Sequence, residues 1–236
     1  MLYVKVVDIT QSVALEDFNY LFHFLDNERQ KKILKYKFLN DKKCSLAAGI
    51  LVRIMLFEIY GLGIRNLTIK KNKFGKPEIA EYPNLYFNLS HSGKYVCCIM
   101  GEREVGIDIE LLDRNIDIRL FQNIFHEEEY SNIFKMKNSI AQKEIFFSLW
   151  TLKESYLKKI GYGLSQKMNT FCIDLRGEFI YLKNKNGFFL SEKFMLYSID
   201  DDYKMAICSE KVGNIDISFC DFQILYKQMK LILNIE

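Results

Sequence analysis

Two stretches of similar design decide the fold: SLAAGILVRIMLFEIYGLG at residues 45–63 and AQKEIFFSLWTLKESYLKKIGYG at residues 141–163. Apolar residues recur in both every three or four positions, which predicts helices at about Ser45–Tyr60 and Ala141–Ile160. A Gly-x-Gly sequence follows each helix and supplies a stop signal, because glycine readily adopts the left-handed conformation that ends helices. The chain is therefore expected to contain two long helices in similar settings.

Short β-rich segments separated by turns follow each of these helices. The first set lies at residues 67–71, 85–89 and 95–100, and the second at 170–175, 179–182, 194–199 and 203–208. The order helix, Gly-x-Gly, antiparallel strands thus occurs twice. It predicts an α+β fold built from two related halves, residues 1–105 and 106–236, with a functional cleft between them.

The composition is that of a globular protein with an uneven charge distribution. Of 236 residues, 49% are apolar and 27% charged, which argues against disorder. The net charge is only +3, but residues 27–76 contain thirteen Lys or Arg and three acidic residues. This local surplus suggests an anionic partner for the N-terminal half, such as nucleic acid, a phosphorylated cofactor or an acidic protein. A solvated lysine-rich surface is the alternative interpretation.

Cysteine spacing and hydropathy indicate a cytoplasmic protein. The six cysteines form no C-x-x-C pair, so neither a zinc pattern nor a disulfide framework is present, and buried thiols in a reducing cytosol are expected. Residues 1–10 resemble a strand rather than a signal peptide, and no run approaches the ~20 apolar residues of a membrane span. With two prolines and no Ser/Gly-rich tract, no linker is expected.

The pentapeptide Gly106-Ile107-Asp108-Ile109-Glu110 is the sharpest local feature. Its alternation predicts a strand with both isoleucines facing the core, and period two then puts Asp108 and Glu110 on one face, roughly 6.5–7 Å apart. Two carboxylates aimed at one point repel each other unless a cation lies between them, and oxygen ligands without His or Cys favour Mg²⁺. An edge strand with a solvated acidic face is the alternative.

The sequence WTLKESYLK, from Trp150 to Lys158, lies within the second predicted helix. Glu154 and Lys158 are four residues apart and share a face, with Trp150 one turn earlier on the same side. Glu154 could complete a three-carboxylate metal site or act as a base, and Lys158 could neutralise a phosphate held by the metal. An ordinary Glu–Lys helix pair is the alternative.

Two further motifs are predicted to be turns. NLSHSG, at residues 88–93, follows an apolar strand and could present backbone N–H groups and the His91 imidazole to an anion. A nucleophilic Ser–His pair is conceivable, but no G-x-S-x-G elbow surrounds it. KFGKP, at residues 73–77, is a glycine turn between basic residues and lacks the spacing of a P-loop. Neither motif indicates a function by itself.

In this order and at these spacings, the motifs resemble those of the surfactin-type (Sfp-type) 4′-phosphopantetheinyl transferases. The matching stretch runs from about Arg29 to Lys158, and the sequence after Thr170 fits only in general character. It includes G-K-P at 75–77, N-L-S-H-S at 88–92, G-I-D-I-E at 106–110, F-x-x-x-E-Y at 125–130 and W-x-x-K-E-S-x-x-K at 150–158. The G-I-D-I-E and W-x-x-K-E-S-x-x-K motifs, about forty residues apart, are close to diagnostic for this family.

The resemblance implies a fold and a set of site residues. The fold would be a pseudo-dimer of two similar α/β halves in one chain, with the coenzyme A site in the first half and the metal and carrier-docking sites in the second. The implied Mg²⁺ ligands are Asp108, Glu110 and Glu154, with Lys158 near the transferred phosphate. The implied coenzyme A contacts are Arg29, Lys32, Lys76, Ser90 and His91. The family usually has an arginine where this chain has Cys44, so Lys42 or Lys43 would have to substitute near the 3′-phosphate.

The implied activity is transfer of 4′-phosphopantetheine from coenzyme A to a serine of an acyl or peptidyl carrier protein, by a monomer. Asp108, Glu154 and Lys158 would carry the chemistry, with Glu154 or a metal-bound water as the base. Phe121, Ile124 and Phe125 would form either the carrier-docking patch or simple core. A non-catalytic coenzyme A or nucleotide-binding module is the main alternative. A nucleic-acid-binding protein would explain the basic stretch but not the carboxylates, and no membrane partner is expected.

Overall fold

The computed structural model describes residues 1–65, 67–163, 166–177, 179–211 and 213–235. The helices in these ranges are α1 Leu15–Phe22, α2 Asn27–Lys35, α3 Leu39–Tyr60, α4 Glu127–Phe134, α5 Ser139–Ile160 and α6 Phe222–Ile235. The strands are β1 Leu2–Asp8, β2 Ile69–Lys71, β3 Pro77–Ile79, β4 Tyr86–Ser92, β5 Tyr95–Gly101, β6 Val105–Leu111, β7 Phe171–Asp174, β8 Tyr181–Asn184, β9 Lys193–Asp200, β10 Tyr203–Ser209 and β11 Ile215–Asp221. The mixed helix and strand content agrees with the predicted α+β class.

The chain forms two compact units, and their limits differ from the predicted halves. The first unit contains residues 1–72, 77–102 and 214–236, and the second contains residues 73–76 and 103–213. The predicted boundary at 105/106 lies close to the point where the chain enters the second unit, but the prediction that residues 214–236 belong with the second half is wrong. Strand β11 instead pairs in parallel with β1, from Leu2 opposite Ile215 to Asp8 opposite Asp221.

In the first unit, helix α3 packs on a four-stranded sheet in the order β11-β1-β5-β4. Strand β5 is antiparallel to both β1 and β4. Helix α3 ends at Gly61 in the left-handed conformation (φ 63°), as predicted, but begins at Leu39 rather than Ser45. The first turns of α3 are polar and carry no apolar periodicity, so the sequence pattern gives no sign of them.

In the second unit, helix α5 packs on β6 and β10 of a three-stranded antiparallel sheet, β6-β10-β9. Helix α5 also ends at a left-handed glycine, Gly161 (φ 71°). Its length of 22 residues equals that of α3. The helix–glycine–strand order is therefore confirmed in each unit, whereas a pseudo-dimeric relation between the units remains a prediction.

A β7–β8 hairpin completes the second unit and carries a local charge cluster. The Asp174 carboxylate accepts hydrogen bonds from Arg176 Nη2 at 2.7 Å and Lys183 Nζ at 2.8 Å. These two cations, Arg176 foremost, hold the pKa of Asp174 well below its usual range. The hairpin thus contains an ion cluster whose stability depends on an ionised aspartate.

Two predictions about the chain's character can be compared with the structure. Five of the six cysteines are buried, as expected from the sequence, and Cys220 is half-buried. Among the described residues, no helix is both long and apolar enough to cross a membrane.

Candidate active site

The site in the second unit depends on close contact between a helix and a strand. A Cβ atom at Gly106 of β6 would lie 1.9 Å from the carbonyl oxygen of Ser155 and 2.5 Å from the amide nitrogen of Lys159. Real Cβ atoms do not approach backbone so closely, so only glycine permits this contact. Gly106 therefore lets the backbone of α5 lie directly on β6, which brings the two motifs of the second unit together.

Asp108 lies two residues further along β6 and faces the same helix. Its side chain is buried, with the residue 2% exposed. Lys158 Nζ on α5 donates a hydrogen bond to Asp108 Oδ1 at 2.7 Å. The predicted strand and the predicted helix thus bring a buried carboxylate and a half-buried ammonium group into direct contact, which makes the Asp108–Lys158 pair the centre of the candidate site.

Glu154 lies one turn before Lys158 on α5 and is half-buried. Burial is the main cause that raises the pKa of the Glu154 carboxyl, the negative charge of Asp108 raises it further, and Lys158 lowers it. The two carboxylates are therefore close enough to repel each other through a partly desolvated region. A carboxylate in this setting gains from binding either a proton or a cation.

Glu110 follows Asp108 on β6 and is half-buried, with Lys204 of β10 opposite it in the strand register. Its alternation with buried Ile107 and Ile109 confirms the predicted strand pattern. However, no cluster of three or more His, Cys, Asp or Glu side chains within the described residues is arranged to hold a metal ion. The structure therefore brings Asp108 and Glu154 near each other but does not gather the three predicted ligands into a preformed set.

The residue types at this site still fit a hard divalent cation. All three candidate ligands are carboxylates, and such oxygen donors suit Mg²⁺ rather than zinc. Lys158 forms an ion pair with Asp108 at 2.7 Å, which partly neutralises this carboxylate. The donor chemistry thus agrees with the sequence-based prediction, while the ligand geometry remains a prediction.

Lys76 also belongs to the second unit. Its Nζ donates a hydrogen bond to the carbonyl oxygen of Lys159 at 2.5 Å. The Lys159 ammonium is buried and forms an ion pair with Glu192 at 2.8 Å. The lysine of the G-K-P motif is therefore held at the C-terminal end of α5, one residue from Lys158.

In the first unit, the segment predicted to be a turn, residues 88–93, is mostly strand. Strand β4 continues to Ser92, and the turn to β5 is only two residues long, Gly93 and Lys94. The alternation along β4 buries Ser90 (6% exposed) and leaves His91 exposed. The sequence prediction was wrong here because two serines, a histidine and a glycine favour turns, while pairing with β5 overrides that local preference.

Two of the predicted coenzyme A contacts in the first unit point inward. Arg29 Nη1 donates a hydrogen bond to the carbonyl oxygen of Ser45 at 3.1 Å. The Arg29 side chain also packs closely on Gly49, since a Cβ atom at Gly49 would lie 2.7 Å from Arg29 Cδ. Lys43 Nζ donates to the carbonyl oxygens of Ile9 and Gln11. Burial lowers the pKa of Arg29 and of Lys43. Both cations therefore help to join α2 and α3 to their surroundings within the unit.

Lys32 and Cys44 have contrasting environments. Lys32 is exposed, with its ammonium group 5.8 Å from the centre of the Tyr36 ring. Cys44, which stands where the resemblance implied an arginine, is 3% exposed, and burial raises the pKa of its thiol to about 11. A neutral thiol cannot replace the charge of an arginine. Among the candidate cations on α2 and at the start of α3, Lys32 is the most accessible.

Comparison with known proteins agrees with these motifs over most of the chain. A family profile described as 4′-phosphopantetheinyl transferase, N-terminal, matches residues 12–103, and one for the 4′-phosphopantetheinyl transferase superfamily matches residues 104–208. The 4′-phosphopantetheinyl transferase gsp of Aneurinibacillus migulanus is 34% identical over 95% of this chain and 92% of its own length. This chain belongs to the 4′-phosphopantetheinyl transferase family.

Other members of the family are also similar to this phosphopantetheinyl transferase. The 4′-phosphopantetheinyl transferase Sfp of Bacillus subtilis strain 168 is 30% identical over 79% of this chain and 82% of its own length. Among solved structures, a holo-(acyl-carrier-protein) synthase of Bacillus anthracis, in complex with coenzyme A (3′,5′-ADP), is 22% identical. It covers 44% of this chain and 92% of its own, with a TM-score of 0.36, too low to bear on the argument.

A buried ion pair joins two motifs of this phosphopantetheinyl transferase and was not foreseen from its sequence. Lys153 Nζ lies 2.8 Å from Glu129 Oε1, and both side chains are 0% exposed. Glu129 also accepts hydrogen bonds from the amides of Ile173 and His126, at 2.6 Å and 2.9 Å. Glu129 belongs to the F-x-x-x-E-Y motif and Lys153 to the W-x-x-K-E-S-x-x-K motif. The sequence alone does not show that these two opposite charges are buried in contact with each other. The pair fixes α5 against α4 and β7 immediately beside Glu154.

The aromatic residues near this pair form core. Trp150 packs against the rings of Phe121, Phe125 and Phe146, with centroids 5.8–6.3 Å apart. Phe125 is 2% exposed, and Phe121 and Ile124 are partly buried against the same cluster. The core alternative for Phe121, Ile124 and Phe125 is therefore favoured over the carrier-docking patch.

Proposed function

We propose that this chain transfers 4′-phosphopantetheine from coenzyme A to a serine of an apo carrier protein and releases 3′,5′-ADP. The observation that carries the proposal is the contact between the buried Asp108 carboxylate and the half-buried Lys158 ammonium group, with Glu154 one helical turn away. Membership of the phosphopantetheinyl transferase family supports it, since two relatives similar over most of the chain are named for this transfer.

The transfer forms one bond to phosphorus, breaks another and moves one proton. The carrier serine Oγ forms a bond to the phosphorus that stays with pantetheine, and the bond from that phosphorus to the leaving 3′,5′-ADP oxygen breaks. The serine proton passes to the Glu154 carboxylate, which lies one helical turn from Lys158 on α5. Lys158 places a positive charge where phosphoryl oxygens gain negative charge, and such fixed charges supply much of the rate in phosphoryl transfer.

Asp108, Glu110 and Glu154 would hold Mg²⁺ in this proposal. When bound, the ion would offset negative charge on the diphosphate of coenzyme A. Asp108 has the additional role of orienting Lys158, to which it is already hydrogen-bonded at 2.7 Å. Glu110, two residues after Asp108 on β6, would be the third carboxylate of the set.

The coenzyme would be held by Arg29, Lys32, Lys43, Lys76, Ser90 and His91. Exposed Lys32 and His91 are available for direct contact, whereas Lys43 and Ser90 are buried and would act mainly by shaping the surface. In this proposal, residues of the first unit and Lys76 bind coenzyme A, and residues of the second unit bind the metal. The active form would be a cytoplasmic monomer.

The experiment that tests the function is intact-mass measurement of an apo carrier protein incubated with this enzyme, coenzyme A and Mg²⁺. A mass gain of one phosphopantetheine group, lost when EDTA replaces Mg²⁺, is the expected result. Coenzyme A binding without any gain on acyl, peptidyl and polyketide carriers would favour the non-catalytic binding module. A gain that persists in EDTA would contradict the metal requirement but leave the transfer intact.

A further inference from the structure

The first unit contains a cavity between its sheet and two of its helices. Its volume is about 370 Å³, within the range of small-molecule sites, which is roughly 300–1,000 Å³. Strands β1 and β11 form one side of the cavity, and helices α3 and α6 form the other. The described residues that line it all belong to the first unit, and none of them is a proposed coenzyme A contact or metal ligand.

The parallel pairing of β1 with β11 brings four side chains of the cavity to one face of the sheet. Asp216 lies opposite Tyr3 in the register, and Ser218 lies opposite Lys5. Residues paired in this way point to the same face, and Lys5 contacts Glu58 of α3 from that face. Asp216 and Ser218 are exposed, so they lie at the mouth of the cavity.

The charges that line the cavity favour a cation. Lys5 Nζ donates a hydrogen bond to Glu58 Oε2 at 2.6 Å, and Gln228 Nε2 donates one to Glu58 Oε1 at 2.8 Å. Asp216 has no hydrogen-bond or ion-pair partner among the described residues. The charges of Lys5 and Glu58 cancel, so Asp216 leaves the cavity with a net charge of −1. An anion would meet a lysine that is already paired, whereas a cation would meet an unpaired carboxylate.

The cavity also offers more hydrogen-bond acceptors than donors. Ser218 Oγ uses its hydrogen in a 3.3 Å bond to the carbonyl oxygen of Val4, so its lone pairs remain as acceptors. Gln228 Oε1 is buried and has no donor among the described residues. A buried acceptor without a donor is destabilising, and a donor on a bound molecule would remove that cost.

The remaining lining of the cavity is largely apolar. Met55 is 1% exposed, and Tyr3 and Ile59 are partly buried against the same hydrophobic core. The Tyr3 ring can attract a cation placed over its face. An apolar wall beside a few polar acceptors is the usual design of a site for a small organic molecule.

We propose that this cavity binds an organic cation, a primary ammonium group carried on an apolar body. The ammonium group would donate hydrogen bonds to the Asp216 carboxylate and to Ser218 Oγ, and the body would pack on Met55 and Ile59. This ligand class follows from the cavity alone and does not depend on the proposed transfer of phosphopantetheine.

The test measures binding of tryptamine to the isotope-labelled full chain at pH 7, followed by amide chemical shifts. Saturable shifts should appear in β1, β11, α3 and α6 around the cavity, with a Kd on the order of 1 mM for a ligand of this size. Tryptophol, in which a hydroxyl replaces the ammonium group, should bind about tenfold more weakly because it lacks the charge. Indole propionate, which carries a negative charge, should give no saturable shift.

Two variants and a control locate the site. Asp216→Asn should weaken tryptamine binding about tenfold and leave tryptophol binding unchanged, since it removes only the charge. Ser218→Phe should abolish binding of both molecules, because its ring would occupy the cavity. The control Glu78→Gln, which removes an exposed carboxylate from β3 of the same unit, should bind tryptamine as the wild type does.

Three outcomes would overturn the inference. Absence of any saturable shift with tryptamine would show that the cavity is not a site for such cations. Equal affinity for tryptamine and tryptophol, or unchanged tryptamine binding in Asp216→Asn, would contradict recognition of the charge. Saturable shifts confined to the second unit would show that the probe binds elsewhere.

Discussion

Replacement of Lys153 by Met tests whether the buried ion pair with Glu129 holds α5 in place. Lys153 Nζ contacts Glu129 at 2.8 Å and donates to the carbonyl oxygens of Phe171 and Met168, at 2.7 Å and 3.0 Å. Removal of one partner leaves an uncompensated carboxylate with no access to solvent, which typically costs about 3–5 kcal/mol. A loss of this size is a large part of the ~5–15 kcal/mol that stabilises a typical protein.

The measurement is urea unfolding monitored by fluorescence of Trp150, the single tryptophan, which packs in the same unit. Lys153→Met should lower the unfolding free energy by about 3–5 kcal/mol, and Glu129→Gln/Lys153→Met should recover about 1–3 kcal/mol of that loss because no buried charge remains. If Lys153→Met is too unstable to purify, comparison of the double variant with Glu129→Gln gives the cost of removing the lysine where no buried carboxylate charge remains. If Lys153→Met lowers the unfolding free energy by less than about 1 kcal/mol and the two substitutions show no coupling, the Glu129–Lys153 pair does not hold α5 in place.

Three further predictions concern other contacts of the second unit. Asp108→Ala should nearly abolish carrier modification while the circular dichroism spectrum stays unchanged, and wild-type-like turnover would contradict the site assignment. Gly106→Ala should lower the unfolding free energy by about 1–3 kcal/mol and reduce kcat, because its Cβ would overlap the α5 backbone; Gly213→Ala, whose Cβ meets nothing within 4 Å, is the control. The depressed pKa of Asp174 contributes stability that is present above its unfolded pKa of ~3.9 and is lost as pH falls further. The unfolding free energy should therefore fall less steeply with decreasing pH in Asp174→Asn than in the wild type. Identical pH dependence in the two proteins would show that Asp174 does not contribute to the loss of stability in acid.

The sequence predicts those parts of the structure that depend on local periodicity. Both long helices end at the predicted glycines, because Gly61 and Gly161 supply the left-handed cap that the pattern requires. The alternation of buried isoleucines with Asp108 and Glu110 correctly gives strand β6 and the face shared by the two acids.

Contacts between distant segments are what the sequence does not predict. Nothing in residues 214–235 signals that β11 pairs with β1, since strand pairing is set by tertiary packing rather than by local pattern. The inward direction of Lys43 depends on backbone carbonyls more than thirty residues away. Side-chain type was enough to suggest which residues belong to the site. Their burial and their hydrogen-bond partners depend on contacts between distant segments, so only the folded structure shows them.

The insertion of the second unit into the first has a consequence for folding during synthesis. Residues 103–213 form a nearly continuous unit, and the ends of that segment approach each other, with Arg103 and Glu210 in an ion pair at 3.7 Å. This segment can begin to fold as soon as it leaves the ribosome. The first unit, although its β1 is made first, must wait for β11, more than two hundred residues later, before its sheet is complete. Until then β1 presents an unpaired edge, so the N-terminal strand of the nascent chain can pair with strands of other chains.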